Sequence, residues 1–302
     1  MRTPLRQSHW LSDLTGSHVL LKLETLQPTF SYKVRGALNV VERLKAAPGP
    51  PAPLVTASAG NHGRALAYAA TAAGIPLTVY VPESAPRSKL DAILALGVDL
   101  KPCRDYDSAE REAKQHAARE GATYISPYSH PDVIAGAGTV GLEILADAMD
   151  LDAIVVPVGG GGLVSGIALA AAAITPSTRV IGVEVEASQP FTRSLAAGHI
   201  VAIDVSATLA DGLAGNLDPD TATFDIVQRH VRGIVTVGES DLRAAMQGIV
   251  ERERLVAEGA GAVGVAALLA GKIRSSGRRV AVVLSGANVD TEVLRVVLSS
   301  EF

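Results

Sequence analysis

The sequence has almost no cysteine, no long apolar run and only a slight excess of negative charge, and each scarcity excludes a class of protein. Cys103 is the single cysteine among 302 residues, so an internal disulfide and an all-thiolate metal cage are excluded, and a reducing cytoplasm is the expected setting. The longest greasy stretch, "GIALAAAAI", is too short to span a bilayer, and the opening "MRTPLRQSHWLSDLTG" contains no apolar leader core. A soluble protein without a membrane partner is expected. Basic residues number 27 and acidic residues 31, spread along the whole chain, so no basic stripe points to nucleic acid. Apolar content is abundant instead. At 48 % hydrophobic, the chain can build a core of one large or two modest lobes and fold alone.

Apolar strand candidates alternate with Ala-rich helical patterns. "PLVTAS" precedes "NHGRALAYAATAAG", "PLTVYVP" precedes "SAPRSKLDAILALG", and "AIVVPVG" precedes "GLVSGIALAAAAI". "VDLKPC", "TYISPY", "VIGVEVE", "GIVTVGE" and "RRVAVVLSG" continue the series. Continuous Val/Ile/Leu strands between helices predict an α/β protein whose open, mostly parallel sheets are covered on both faces. The proline-rich "AAPGPPAPL", residues 46 to 54, reads as a linker opening a lobe, and the glycines of "IAGAGTVGLE", residues 134 to 143, suit a crossing between lobes. The expected division is therefore a small domain over residues 46–133, with residues 1–45 and 134–302 forming a larger one.

Three strand-to-helix turns carry the groups that could do chemistry. In "VPVGGGGLVSG", four glycines, Gly159, Gly160, Gly161 and Gly162, leave a strand and enter a helix. Coiled glycine backbone and a helix N-terminus make a phosphate cradle, although the spacing fits neither a nucleoside-triphosphate loop nor a dinucleotide fingerprint. In "TASAGNHGRALA", Ser58, Asn61 and His62 crowd beside Gly60 and Gly63 and could bind an anion such as a carboxylate. Read alone, Ser58 or Asn61 caps the helix. In "AVVLSGANVD", Ser285 follows an apolar strand. Ligands of open parallel sheets bind at the carboxyl ends of strands, so three such turns reinforce one another.

Together, "SYKVRGA", "SAGNHG", "VGGGGL", "VAEGAGAVGVAAL" and "LSGANVD" resemble, in order, the motifs of the fold-type II pyridoxal-phosphate enzymes. Within that superfamily the chain is most similar to the serine/threonine dehydratases and their relative serine racemase. The resemblance implies a two-lobe, tryptophan-synthase-β-like architecture, pyridoxal 5'-phosphate as cofactor, an amino-acid substrate and a homodimer. It makes Lys33, otherwise readable as a solvated helix lysine, the Schiff-base lysine. Aromatic and apolar neighbours that desolvate a lysine favour the neutral amine that imine formation needs. Tyr32 stands where the family has Phe, and Phe30 replaces the usual glycine. The resemblance further assigns the cofactor phosphate to Gly159–Gly162, its phenolic oxygen to Asn61 and its ring nitrogen to Ser285. Ser58, Ala59, Gly60, Asn61 and His62 take the substrate carboxylate. A neutral hydroxyl at the ring nitrogen makes a weak electron sink, which suits elimination better than transamination.

The implied reaction is β-elimination of water from an L-β-hydroxy amino acid such as threonine or serine, giving a 2-oxo acid and ammonia. Serine racemase places a serine where this chain has Ala59, which argues against the racemase alternative. Hydroxyaspartate or phenylserine would need an added cation or a wide apolar slot. A cysteine-synthase-like replacement enzyme usually shows a Thr-Ser-Gly-Asn-Thr type loop in place of "SAGNHG", and a silent phosphate-ligand binding protein would bind cofactor without releasing any 2-oxo acid. Relatives also place a structural divalent cation at the positions of Glu184 and Ser188, with their second carboxylate standing here as Pro190; the plain reading is an exposed Glu at a strand end. Glu258 matches the family's "EGAGA", and His130 and Tyr128 fall on a loop toward the substrate side, without assigned roles.

Overall fold

The computed structural model describes residues 1–299, which form two compact units: Met1–Tyr32 with Ala137 onward, and Lys33–Gly136. The larger unit contains a six-stranded sheet in the order β1 (Leu5–Gln7), β2 (His18–Leu23), β10 (Arg279–Leu284), β7 (Ala153–Pro157), β8 (Arg179–Val185) and β9 (Gly233–Val237). The edge pair β1 and β2 is antiparallel, and every other neighbour is parallel. Its helices are α1 (His9–Thr15), α7 (Gly162–Ile174), α8 (Pro190–Ala197), α9 (Thr223–His230), α10 (Glu239–Gly248), α11 (Gly259–Leu269) and α12 (Thr291–Ser299).

Strand periodicity divides this unit's core. On β10, Val280, Val282 and Leu284 join one buried cluster with residues of α10 and α11, whereas Ala281 and Val283 join a second cluster with residues of α7. Alternate side chains thus bury themselves on opposite faces, and both faces are covered as the apolar strands predict.

The smaller unit carries a parallel four-stranded sheet, β5 (Asp99–Cys103), β4 (Leu77–Pro82), β3 (Leu54–Ala57) and β6 (Thr123–Tyr124). Its helices are α2 (Lys33–Ala46), α3 (Asn61–Ala73), α4 (Arg87–Leu94) and α5 (Tyr106–Glu120). The division between units falls inside α6 (Pro131–Asp147). At the other end the unit begins at Lys33, and the proline-rich stretch after Ala46 joins α2 to β3 inside it. The reason is packing: Val34, Ala37, Val40 and Val41 of α2 share a buried cluster with Ala65, Leu66 and Ala69 of α3.

A buried ion pair anchors the start of the chain in the larger unit. Lys22 is fully buried, and its Nζ donates to Glu143 Oε2 at 2.6 Å and to the Thr3 carbonyl at 2.7 Å. The Thr3 amide also donates to Glu143 Oε2 at 3.2 Å, while its hydroxyl donates to the buried Glu24 at 2.5 Å. Removing one partner of such a pair strands the other charge. Because the ammonium is wholly buried while the Glu143 side chain keeps 16 % exposure, Glu143→Ala is the more damaging change. Its expected cost is about 3–5 kcal/mol by urea denaturation, with Lys22→Met costing less.

Candidate functional site

In the smaller unit, β3 ends at Ala57 and the chain turns through Ser58, Ala59 and Gly60 into α3, whose first residue is Asn61. Gly60 occupies the N-cap position and no side chain caps the helix, so the capping roles expected of Ser58 or Asn61 are not what the turn provides. Ser58 Oγ instead accepts from the Gly60 amide at 3.3 Å. The turn is tight enough to require glycine at position 63, where a Cβ would lie 2.1 Å from the Ser58 carbonyl oxygen.

His62 is buried, with Nε2 at 3.3 Å from the Ile125 carbonyl oxygen. A carbonyl only accepts, so Nε2 carries the proton, and the buried Nδ1 has no hydrogen-bond partner among the described residues. Burial, and after it the positive charge of Lys33, push the imidazole down to about 3, so it is neutral throughout the physiological range. Lys33 opens α2, and its Nζ donates to the Pro127 carbonyl at 2.7 Å. Ser126 Oγ accepts from the Ser129 amide at 3.1 Å, and His130 Nδ1 accepts from the Asp132 amide at 3.2 Å. Burial lowers the His130 imidazole too, against the opposing pull of Asp132. The loop bearing Tyr128 and His130 thus follows directly on the carbonyls met by His62 and Lys33.

In the larger unit, Gly159–Gly162 join β7 to α7. Gly161 is the N-cap residue and takes a left-handed φ of +87°, and a Cβ there would lie 2.5 Å from Phe191 Cζ. Gly159 is crowded as well: its Cβ would stand 3.0 Å from Leu213 Cα. The Thr223 hydroxyl donates to the Gly160 carbonyl at 2.9 Å and fixes the loop from below. Amides of the first turn of α7 have no partner within the helix, so a side-chain-free backbone here presents N–H groups and a positive dipole end, the donor set that a phosphate dianion requires. The residues present therefore fit the phosphate of the implied cofactor.

Ser285, also buried, follows β10, and its carbonyl accepts from the Tyr32 amide at 3.0 Å. Tyr32 itself packs, half-buried, on the cluster that contains Val283. Beside this turn a Cβ on Gly286 would approach Glu258 Oε1 to 2.4 Å, and one on Gly261 would meet the Gly286 carbonyl at 2.4 Å. Two glycines therefore let the start of α11 and the Ser285 turn touch.

Glu184 corrects the sequence reading of an exposed residue, for it is completely buried. Its carboxylate accepts from the Phe191 amide at 2.8 Å, the Thr192 amide at 2.9 Å and the Thr192 hydroxyl at 2.6 Å, holding the first turn of α8. Burial raises this carboxyl and those hydrogen bonds oppose the rise. Ser188 Oγ exchanges hydrogen bonds with the backbone of Gly215, and Pro190 is the first residue of α8. Among the described residues no group of three or more His, Cys, Asp and Glu could hold a metal ion. The groups with no signal in the sequence are those that support the loops: Phe191 and Thr223 under the glycines, Thr56 and the Ile125 and Pro127 carbonyls beside Lys33.

A family model described as pyridoxal-phosphate dependent enzyme matches residues 1–286. The chain belongs to this family. Such an enzyme binds pyridoxal phosphate, and the glycine loop meets that requirement. The L-threonine ammonia-lyase of Thermotoga maritima is 41 % identical over 294 residues, covering 97 % of this chain and 73 % of that protein. The processed form of threonine deaminase isoform 2 from Solanum lycopersicum is similar in structure, with a TM-score of 0.92 at 33 % identity, covering 100 % of this chain and 89 % of that one. Maize serine racemase gives a TM-score of 0.90 at 34 % identity, over 98 % and 91 % of the two chains.

A neutral buried imidazole has a consequence for stability. His62 binds its proton far more weakly in the fold than in the unfolded chain, so the unfolded state gains protons first as pH falls below the ordinary histidine value of 6.5. Stability from this residue is present above 6.5 and is lost progressively toward about 3. In His62→Gln, the urea midpoint should fall less steeply across that acid range than in the parent protein.

Proposed function

We propose that the protein is a pyridoxal-phosphate-dependent ammonia-lyase that removes water from an L-β-hydroxy amino acid of the threonine or serine type and yields a 2-oxo acid and ammonia. The likeness to threonine ammonia-lyase and threonine deaminase over nearly the whole chain supports the reaction class. The observation that carries the reading to residues is the glycine loop at Gly161, where only a residue without a side chain fits, in a chain that also keeps Lys33 at the head of α2.

In this reading Lys33 would hold the cofactor covalently, the amides of Gly159–Gly162 and the first turn of α7 would hold its phosphate, Asn61 would bond its phenolic oxygen and Tyr32 would lie near it. Ser285 would offer the ring nitrogen a neutral hydroxyl. The bound cofactor supplies an electron sink that acidifies the substrate's α-C–H bond. The turn Ser58, Ala59, Gly60, Asn61 and His62 would bind and orient the substrate carboxylate through its backbone amides and the Ser58 and Asn61 side chains, the His62 ring being committed to the Ile125 carbonyl. The Lys33 amine, free once the substrate's amine has taken its place, would take the α-proton as general base and pass a proton to the departing β-hydroxyl, which leaves as water. The released enamine tautomerises and adds water, so nitrogen leaves as ammonia. Glu184 holds the first turn of α8. A homodimer is supported by the family resemblance, and a cytoplasmic setting by the single cysteine.

Three outcomes test the reading. The purified protein should be yellow, and Lys33→Ala should lose both the absorbance and the borohydride-reducible lysine adduct, with turnover falling about 10³-fold or more. A panel of β-hydroxy amino acids scored for 2-oxo acid should give its largest signal with L-threonine or L-serine; a larger one with hydroxyaspartate or phenylserine would change the substrate class. The racemase alternative draws on the likeness to serine racemase, but Ala59 offers only a methyl group, which cannot return a proton. Chiral chromatography should therefore find ammonia and 2-oxo acid with little D-isomer, and Ala59→Ser should add racemisation.

A further inference from the structure

The chain leaving β6 is fastened with unusual care. Its Ile125 carbonyl accepts twice, from the Thr56 hydroxyl at 2.8 Å and from His62 Nε2 at 3.3 Å, and the Ile125 amide donates to the Val55 carbonyl at 2.9 Å. Two residues later the Pro127 carbonyl accepts from Lys33 Nζ at 2.7 Å. Beyond it the segment returns to the helix that Lys33 opens. Asn39 Nδ2 donates to the Asp132 carbonyl at 2.8 Å, Arg43 Nε pairs with Asp132 Oδ1 at 2.8 Å, and a Cβ on Gly36 would lie 2.9 Å from the Val133 carbonyl. Positions 33, 36, 39 and 43 share one face of α2, so the segment is held at both ends by a single helix face and by two buried donors.

We propose that the Pro127 carbonyl is the rest position of Lys33 Nζ whenever that nitrogen carries no cofactor, and that His62 and Thr56 are positioning residues that keep this carbonyl in place through Ile125. The donor is a long lysine side chain, and the acceptor is a backbone oxygen two residues beyond a carbonyl that itself accepts twice. A carbonyl can accept from an ammonium but can take no proton from it, so it holds Nζ without competing for the proton. A neutral imidazole suits the role, since a protonated ring would repel Lys33.

The inference rests on the functional reading for its relevance to catalysis, but its test does not need turnover. Full-length protein stripped of cofactor is exposed to limiting formaldehyde with a borohydride reductant, and methylation of Lys33 is followed by peptide mass spectrometry against the exposed Lys45. His62→Ala and Thr56→Val each remove one donor to Ile125 and should raise the Lys33 rate about 3- to 10-fold, the loss of one buried hydrogen bond. His62→Gln and Thr56→Ser keep a donor and should stay within about twofold of the parent. Thr56→Val is nearly isosteric, so it keeps the test open should His62→Ala fail to fold. A Lys33 rate unchanged in folded Thr56→Val, or raised equally by Thr56→Ser, would overturn the proposal. A cofactor adduct trapped in the holoenzyme on a lysine other than Lys33 would instead overturn the functional reading, leaving the labelling to judge the rest position alone.

Discussion

Parallel strand pairing is the constraint on which the rest of this structure depends. Strands that run the same way deliver their carboxyl ends to one edge of a sheet, and in each unit that edge is where the chain turns into a helix. β3 delivers Ser58–His62, β6 delivers Ile125 and Pro127, β7 delivers the glycine loop and β10 delivers Ser285. The helices then pack back on the sheet faces, as the alternation along β10 shows, so the turns are short and crowded. Crowding explains the glycines better than flexibility does. At 63 and 261 a backbone oxygen would lie 2.1 and 2.4 Å from an added Cβ, and at 161 the Phe191 ring would lie 2.5 Å from it, so only the absence of a side chain lets these groups approach.

The supports beneath these turns are chemically matched to what they hold. Glu184, fully buried, gives its carboxylate to the first amides of α8, where negative charge meets the helix dipole. That fixes Phe191, and Phe191 fills the space under Gly161. A carboxylate on one strand thereby sets the floor of a loop on another. In the smaller unit the logic is reversed in sign: Lys33 acts on His62, and burial keeps that imidazole uncharged, so backbone carbonyls rather than carboxylates receive the donors. Carbonyl dipoles satisfy an ammonium or an N–H without adding a charge that would itself need burial.

Much of this was legible in the sequence, and what was not had a physical cause. β3, β4, β7, β8 and β10 announce themselves as Val, Ile and Leu runs because most of their side chains are buried on both faces, whereas β5 is the largely exposed "DLKPC" and β6 only "TY". β1 and β2 do not announce themselves either: one is "LRQ" and the other carries Lys22 at a core position, a lysine acceptable there only because Glu143 and the Thr3 carbonyl meet it. α2 is plainly helical, yet periodicity cannot say which neighbour its apolar face covers; in the structure that face packs on α3. Four consecutive glycines mark a loop, but only tertiary contact reveals that Gly161 takes the positive φ. Carbonyl acceptors such as those of Ile125 and Pro127 leave no trace in side-chain identity at all.

Phe30 shows how far tertiary contact can override local preference. It stands where the family usually has glycine, and it keeps a glycine-like backbone, with φ at +56°. For a bulky L-residue that conformation costs roughly 1–2 kcal/mol. The cost is tolerable because the surrounding backbone is over-determined within the larger unit: the Phe30 amide donates to the Gln27 carbonyl at 2.8 Å and its carbonyl accepts from the Ala287 amide at 2.8 Å. Asn288 Nδ2 reaches the Thr29 carbonyl at 2.9 Å, Ser31 bridges to Gly286, and the Tyr32 amide donates to Ser285. Residues 29 to 32 are therefore laced to the turn that carries Ser285, one residue at a time. A chain so held cannot relax at Phe30 without breaking several of these bonds, and so residues 29 to 32 are fixed within the larger unit by backbone pairing, whatever side chain occupies position 30.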